Sequence, residues 1–385
     1  MPHDVIIVGS GIAGAYLAST LSESGLKVLV LEREPNECTS FCGEMTGLAT
    51  LKRLGLSKEY IINTYKSSKL VNLDNNFEIE VPSRKAQLIL IDAQRAKSKL
   101  IDEAISDGAE VKFKSIVTGV VKEKGKVTGV KVGNKTIKGN VVIGSDGSSS
   151  VVAKSAGFNL KPYKALPSFR FKYKNANVKS DEALFLIKKE LGLGYLWLYP
   201  QSRTKVNVGV GAIGNPNMTK IFNSYVKSVK GLKGAKVYAR GGDTIPYSGV
   251  LPEIARPGAA LVGDSAGQVD PLLGGGVTTS TSAAEILAPY VVKAMDNPNS
   301  LLEYDIRYRR TKDYKMITRG ANMLSVLERM HKKGDLFSLL EEVQSTFSDK
   351  TLKKASKGEL TKLDYILYAL RHPVLSYRVL KAVKA

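Results

Sequence analysis

Residues Val5 to Glu34 carry the feature that most restricts what this chain can fold into. Val5-Ile6-Ile7-Val8 is an unbroken apolar run, the pattern of a parallel strand covered on both faces. It passes directly into Gly9-Ser10-Gly11-Ile12-Ala13-Gly14, and helix-forming residues follow from Ala15 to Ser24. Gly25 stops that helix, and Lys27-Val28-Leu29-Val30-Leu31 reads as a second strand ending at Glu32. In such a unit the first glycine permits the tight turn, the second lets the backbone approach a pyrophosphate, and the third lets helix pack on strand. The phosphates belong at the helix N-terminus, where unpaired N–H groups and the helix dipole favour negative charge. Glu32 stands where a carboxylate accepts hydrogen bonds from adenosine ribose hydroxyls and would repel a 2′-phosphate. Gly9, Gly11, Ala13, Gly14, Glu32 and the adjoining Arg33 are therefore candidate dinucleotide-binding residues.

At 385 residues the chain is long enough for two domains. Its apolar and charged fractions, 43% and 24%, are those of an ordinary globular protein. The net charge of +21 is high for a dinucleotide protein and attracts anionic partners. The basic residues are mostly dispersed lysines with no nucleic-acid-binding module, so nucleic acid is not an expected partner. A solvated basic surface and peripheral contact with an anionic membrane both stay open. No apolar run approaches the roughly 18 residues that span a bilayer. The chain enters its first strand by residue 5, so no signal peptide is expected. The expected location is the cytoplasm, free or at the inner face of the cell membrane. The two cysteines, Cys38 and Cys42, and the histidines His3, His331 and His372 build neither a disulfide scaffold nor a four-ligand zinc site, and no metal is expected.

Further along, residues 68–90 read as strands that begin a second, sheet-rich domain. Asp92 to Ser106 reads as a helix returning to the first, followed by a β-meander over residues 110–137. Asn140 to Gly147 is another buried strand ending in a glycine turn, with Ser148-Ser149-Ser150 available to cap a helix over Val151 to Ala156. Residues 165–240 alternate as an antiparallel sheet interrupted by a helix over Thr219 to Val229. Ala259 to Asp264 returns to the first sheet, a long helix follows Gly276, and everything past Ser300 reads as helical. The expected division is a discontinuous nucleotide-binding domain (1–66, 91–164 and 241–299), a substrate-binding sheet domain (67–90 and 165–240) and a helical C-terminal region (300–385).

The order of GxGxxG, Asp146-Gly147, Gly263-Asp264 and a glycine-rich turn into a helix resembles the flavoproteins of the p-hydroxybenzoate hydroxylase type, over residues 4–295. The resemblance implies FAD as cofactor. It also implies an α/β fold: a glutathione-reductase-like, Rossmann-like FAD-binding domain beside an antiparallel β-sheet domain. Asp264 would bind a ribityl hydroxyl. Leu273-Gly274-Gly275-Gly276-Val277 would aim backbone N–H groups at the flavin pyrimidine ring, with Gly275, Gly276 and Val277 as contacts. Asp146 and Gly147 are assigned to the same cofactor region.

Within that group the chain resembles geranylgeranyl reductases, including archaeal enzymes that saturate isoprenoid chains of membrane lipids. Tyr195-Leu196-Trp197-Leu198-Tyr199-Pro200 followed by Gly209-Val210-Gly211 fits that family's Y-x-W-x-F-P…G-x-G pattern, with Tyr199 replacing the phenylalanine. Cys42-Gly43-Glu44 resembles its Cys-Gly-Gly turn beside the flavin, with Glu44 in place of the second glycine. Arg95 is the candidate cofactor cation, where relatives carry arginine at the position of Ala93. Alternation along Tyr195-x-Trp197-x-Tyr199 puts three aromatics on one strand face, either as sheet core or as a wall for a prenyl tail. The substrate candidates are thus Tyr195, Trp197, Tyr199, Pro200, Gly209 and Gly211; the catalytic candidates are Cys42, Tyr195, Trp197 and Tyr199.

The implied reaction is saturation of isoprenoid C=C bonds by hydride from reduced flavin N5 together with a proton. Tyr195, Tyr199, Cys42, Glu44 or solvent would supply that proton, and NAD(P)H or ferredoxin the electrons. A monooxygenase acting on an aromatic or quinone precursor shares the fold and stands as the alternative. Gly209 to Gly214 is a second GxGxxG, but Asn215-Pro216 breaks the helix it would need, so it belongs to the substrate sheet. Cys38 and Cys42 form a redox pair, a substrate-facing thiol or inert packing, depending on a local pKa. Residues 350–385 are basic and amphipathic, fitting either an anionic lipid surface or the flank of the substrate domain.

Overall fold

In the computed structural model, residues 2–36, 43–82, 88–214, 216–334 and 337 are described, residues 81 and 82 by their backbone alone. The candidates Cys38 and Cys42 and the basic tail at 350–385 lie outside the described residues. The helices among the described residues are α1 (Ile12–Ser22), α2 (Leu48–Arg53), α3 (Ala93–Ser106), α4 (Val151–Ala156), α5 (Met218–Ser228), α6 (Val277–Lys293), α7 (Ser300–Arg309) and α8 (Lys312–Lys332). None is long and apolar enough to cross a membrane. Two compact units result. One comprises residues 1–61, 91–165 and 244–321; the other comprises 62–90, 166–243 and the described residues from Asn322 onward.

The first unit is built on a sheet whose strand order is Ala255–Arg256, Ala259–Leu261, Lys135–Gly144, His3–Val8, Val28–Leu31 and Glu110–Lys112. The opening strand is central: Val5, Ile6 and Ile7 pair in parallel with Val141 to Ile143 on one side and with Val28 to Val30 on the other. All three have no exposure, as the unbroken apolar run requires. α1 packs against α3 and α6. Its Ala15, Ala18, Ser19 and Ser22 are small and buried, which lets these helices approach closely.

Three sequence expectations change here. The first helix begins at Ile12 rather than Ala15, so Gly14 lies inside its first turn. The last strand of the expected meander and the buried strand at 140 are one element, Lys135–Gly144. Its first half pairs antiparallel with Lys126–Val132 and its second half parallel with His3–Val8. Gly139 sits at the changeover, where a Cβ would come within 2.8 Å of the Ile6 side chain. Glu110–Lys112 leaves the meander altogether and pairs in parallel with Val28–Leu31.

The second unit is a sheet ordered Lys236–Pro246, Ala165–Lys174, Lys205–Ala212, Gly194–Pro200, Glu182–Ile187, Ser67–Asn72 and Phe77–Pro82. From Ala165–Lys174 to Phe77–Pro82 it is antiparallel apart from one parallel pair, Ser67–Asn72 with Glu182–Ile187. Those strands are far apart in sequence, so no hairpin dictates their direction. Leu196, Leu198, Val206, Val208 and Val210 form the core face with Ile221 and Phe222 of α5. Period-two alternation then sends Tyr195, Trp197 and Tyr199 to the opposite face.

Gly209 lies directly opposite Trp197 in register, and a Cβ there would stand 2.1 Å from the indole ring. Gly209→Ala is therefore expected to push the ring off its seat and cost about 1–3 kcal/mol by overpacking. Trp197 is the only tryptophan of the chain. A lowered melting temperature with shifted tryptophan emission checks this, and an unchanged spectrum would contradict it.

Candidate active site

The opening turn separates the work of its glycines. Gly9 has φ 94°, and a Cβ there would fall 2.5 Å from the Ser145 carbonyl oxygen. A Cβ at Gly14 would fall 2.2 Å from the Gly9 carbonyl oxygen. Both are demanded by the fold itself. Gly11 is different: its nearest protein neighbour, the Ser145 oxygen, is 3.9 Å away. Among the described residues nothing requires glycine at 11, whereas a pyrophosphate seated on the turn would. Ser145 braces the turn by donating its hydroxyl to the carbonyls of Val8 (2.9 Å) and Gly9 (2.6 Å). Gly11 is the N-cap of α1 and provides no side-chain cap, so the first N–H groups of that helix, Ala13 among them, face the turn without one.

Glu32 follows the second strand and is 7% exposed. Its Oε2 accepts from the Ser10 backbone N–H and hydroxyl, both at 2.7 Å, and its Oε1 accepts from Glu34 N–H at 3.0 Å. Burial pushes this carboxyl upward, but the bonds from Glu34 and Ser10, with the Lys97 charge, outweigh it and hold it below its ordinary 4.5. Lys97 is 5% exposed on α3 and was not anticipated. The signal was present: it falls on the buried stripe of Ala93, Ala96, Leu100, Ile101 and Ala104, where a charge is out of place. Arg95 lies elsewhere, half exposed, bonded to Glu59 (3.3 Å) and stacked 4.7 Å over Tyr60. Arg33 is exposed and pairs with Glu34 at 3.4 Å.

The second glycine turn is organised the same way. The strand expected to reach Asp264 ends at Leu261, and a 3-10 turn, Gly263–Ala266, carries that aspartate. Gly263 has φ 74°, which bends the chain out of the sheet. Buried Gln268 fixes the turn: its Oε1 accepts from Gly263 N–H (2.8 Å) and its amide donates to the Tyr304 hydroxyl (2.9 Å). The Tyr163 hydroxyl donates to the Asp264 carbonyl at 2.8 Å. Asp270 shapes the loop beyond it, its Oδ1 accepting from Leu272 and Leu273 N–H. The loop leads through Gly275, which has no neighbour near its Cβ position, to Gly276, the N-cap of α6. Val277 is the first residue of that helix, again without a side-chain cap.

Asp146 is occupied locally. Its carboxylate accepts from the Ser150 hydroxyl (2.6 Å) and from Val152 N–H (3.0 Å), tying down the start of α4. Burial pushes this carboxyl above its ordinary value, against those hydrogen bonds. Gly147 has φ 77° and open space at its Cβ position. Gly43 and Glu44 precede the strand Met45–Gly47. Glu44 adopts φ 67°, a conformation glycine takes freely, and its carbonyl accepts from Ile91 N–H at 2.9 Å. The left-handed turn that a second glycine would give is thus held here by glutamate.

On the sheet of the second unit, Tyr195 faces Gly211 and Trp197 faces Gly209 across the strand pair. The aromatics lean over positions without side chains, which joins the two halves of the Y-x-W…G-x-G pattern in one physical arrangement. Trp197 donates its Nε1–H to Asn207 Oδ1 at 3.1 Å. The wall has a further member, Phe185, with ring centroids 5.5 Å from both Tyr195 and Tyr199. Phe185 pairs with Trp197 in register, a relation invisible until strand order is known. Trp197 and Tyr199 are buried at 7% and 4% exposure. The Pro200 carbonyl accepts from the Tyr65 hydroxyl and the Asn63 amide, both at 2.8 Å, which anchors the end of the aromatic strand.

Two bare helix N-termini with open glycines fit a flavin dinucleotide. The model of the FAD binding domain family matches residues 2–211, and the chain belongs to this family. That makes it an FAD-dependent oxidoreductase of mixed α/β fold. The chain is similar to the digeranylgeranylglycerophospholipid reductase of Methanosarcina acetivorans, 29% identical over 332 residues, with 80% of this chain and 81% of that one covered. It is likewise similar to digeranylgeranylglycerophospholipid reductase 2 of Methanococcoides burtonii, 28% identical with 80% of each chain covered. In fold it is similar to a geranylgeranyl bacteriochlorophyll reductase-like protein of Thermoplasma acidophilum, with TM-score 0.79, 22% identity and 99% of each chain covered.

Gly11→Ala is expected to leave the melting temperature of the FAD-free protein nearly unchanged while weakening FAD binding more than tenfold. Gly14→Ala is expected to lower the melting temperature itself. Calorimetry of the two apoproteins with FAD titration separates these effects, and equal destabilisation by both would contradict the assignment. The Glu32 contribution to stability is complete above the ordinary 4.5 and is lost as pH falls through its lower folded value. Glu32→Gln should flatten that acid limb of stability against pH, measured by urea unfolding; an unaltered limb would contradict it.

Proposed function

We propose that this protein reduces C=C bonds of geranylgeranyl chains on membrane lipids, adding a hydride to one alkene carbon and a proton to the other. The observation that carries the reading is the aromatic wall of Tyr195, Trp197, Tyr199 and Phe185 over Gly209 and Gly211. A polyprenyl chain is apolar and flexible, and such a surface holds it by burial alone. The reductases named above support the substrate class, since they bear that activity in their names.

FAD, when bound, supplies the two-electron chemistry as a hydride from N5. The chain's residues do the rest. The N–H groups at the starts of α1 and α6 would stabilise negative charge on the cofactor. Glu32 would hold the adenosine ribose, and Asp264 the ribityl chain. An isolated trialkyl alkene accepts hydride poorly, so positive charge builds at the tertiary carbon as the proton arrives. A substrate alkene held by burial on the wall would be shielded from water and fixed in orientation for the two transfers. Tyr195, Tyr199, Glu44, Cys42 and solvent are the proposed sources of that proton. NAD(P)H or ferredoxin is the proposed electron source.

The test is anaerobic. Dithionite-reduced protein mixed with a geranylgeranylated phospholipid should reoxidise its flavin, with two hydrogens gained per double bond by mass spectrometry. Trp197→Ala should raise KM for the prenylated lipid at least tenfold with FAD content unchanged. No anaerobic reoxidation, with oxygen-dependent gain of one oxygen atom on aromatic substrates, would establish the monooxygenase instead.

A further inference from the structure

We propose that the N-terminal half of α8 and the adjoining turn at Leu272-Leu273 form a docking surface for an anionic lipid bilayer. The inference rests on the proposed activity only in that a lipid substrate of that kind resides in a membrane.

The surface has an apolar and a cationic component, both on the first unit. Leu272 and Leu273 are 38% and 56% exposed, and Met316 is 43% exposed, although burial is the usual fate of such side chains. They are brought together by Gly320, whose Cβ position lies 3.1 Å from the Pro271 ring and 3.7 Å from the Leu272 side chain. A glycine there seats α8 directly on the turn. Met316 stands one helical turn before Gly320, on the same side of the helix. Lys312, Lys315 and Arg319 are exposed on the same stretch of helix, and among the described residues none of them is in an ion pair. The single acid of the first helical turn is Asp313.

This is the composition of an interfacial helix: apolar side chains that enter the acyl boundary, flanked by long cations whose ammonium and guanidinium groups stay at head-group level. A purely apolar patch would fit a protein partner equally well. The three cations, on a chain of net charge +21, select a surface of negative charge. The same turn continues into Gly274-Gly275-Gly276 at the start of α6, so the docked face adjoins the flavin-binding loop. A substrate chain leaving the bilayer would thus meet the unit that holds the cofactor without crossing open water.

The test uses the full chain loaded with FAD and vesicles of phosphatidylcholine, with or without an equal part of phosphatidylglycerol. Sedimentation should show binding that depends on phosphatidylglycerol and weakens as salt rises. The triple variant Lys312→Gln, Lys315→Gln, Arg319→Gln should bind about a hundredfold more weakly, since each cation near such a surface contributes roughly fivefold. Met316→Ser should also weaken binding, roughly tenfold for one buried apolar side chain. A control triple of equal charge, Lys124→Gln, Lys131→Gln, Lys135→Gln, alters the exposed hairpins over residues 117–144 and should bind as the parent does. Equal loss in both triples would show attraction by overall charge and overturn the proposal, as would absence of vesicle binding by the parent chain. Reduction of detergent-dispersed lipid should be unchanged in the α8 variants. Failure of reduction alone would count against the activity, and failure of vesicle binding alone against the docking surface.

Discussion

The first unit depends on two helices that start at glycines and leave their leading N–H groups uncapped, α1 at Gly11 and α6 at Gly276. Uncapped donors are ordinarily a cost: Asp92, Ser150 and Asn217 cap α3, α4 and α5, while α2 at Gly47 and α7 at Asn299 also lack a side-chain cap. The central strand His3–Val8, paired in parallel on both sides, delivers α1 to a crest beside the Ser145 and Gly263 loops. α6 packs along α1, so two positive dipole ends come from helices that touch. Glu32, Gln268 and Asp270 bond chiefly to backbone N–H groups of the turns around these ends, and so hold the donors ready for an anionic cofactor.

The second unit obeys a simpler constraint, that of side chains alternating across a sheet. Leu196 and Leu198 go to the core under α5, which obliges Tyr195, Trp197 and Tyr199 to line the other face. Large rings on adjacent positions of one face need room, and Gly209 and Gly211 on the neighbouring strand leave it. A stretch resembling a second dinucleotide turn is, in this setting, the floor beneath an indole. The same glycine spacing thus means opposite things in the two units. The difference lies in the next residues, a helix after Gly11 and a strand end with Pro216 close behind it after Gly211.

Much of this was legible in the chain. The apolar run at Val5–Val8, the glycine spacing and the acid at Glu32 each act over a few residues, so local sequence suffices to read them. The aromatic alternation was legible for the same reason. Other features depend on pairing at a distance. The parallel match of Ser67–Asn72 with Glu182–Ile187 has no turn to announce it, and it is strand order that places Phe185 beside Trp197. Gly139 reads as a boundary within Lys135–Gly144, as a glycine inside a strand does, whereas here it relieves contact with Ile6. Lys97 was visible as a charge on an apolar stripe, but its meaning required Glu32 to be packed nearby. Glu44 shows the reverse: a glutamate in a glycine's place leaves the left-handed geometry of the turn intact.

The central claim is that the exposed N–H groups at the start of α1 bind the pyrophosphate of FAD. Comparing affinities of the apoprotein for FAD and for riboflavin, which keeps the ring and ribityl chain but lacks the phosphates and adenosine, tests it most directly. The account predicts that FAD binds at least a hundredfold more tightly, and that Gly11→Ala removes most of this advantage while leaving riboflavin binding untouched. Equal affinity for the two ligands, or loss of both in the variant, would contradict it.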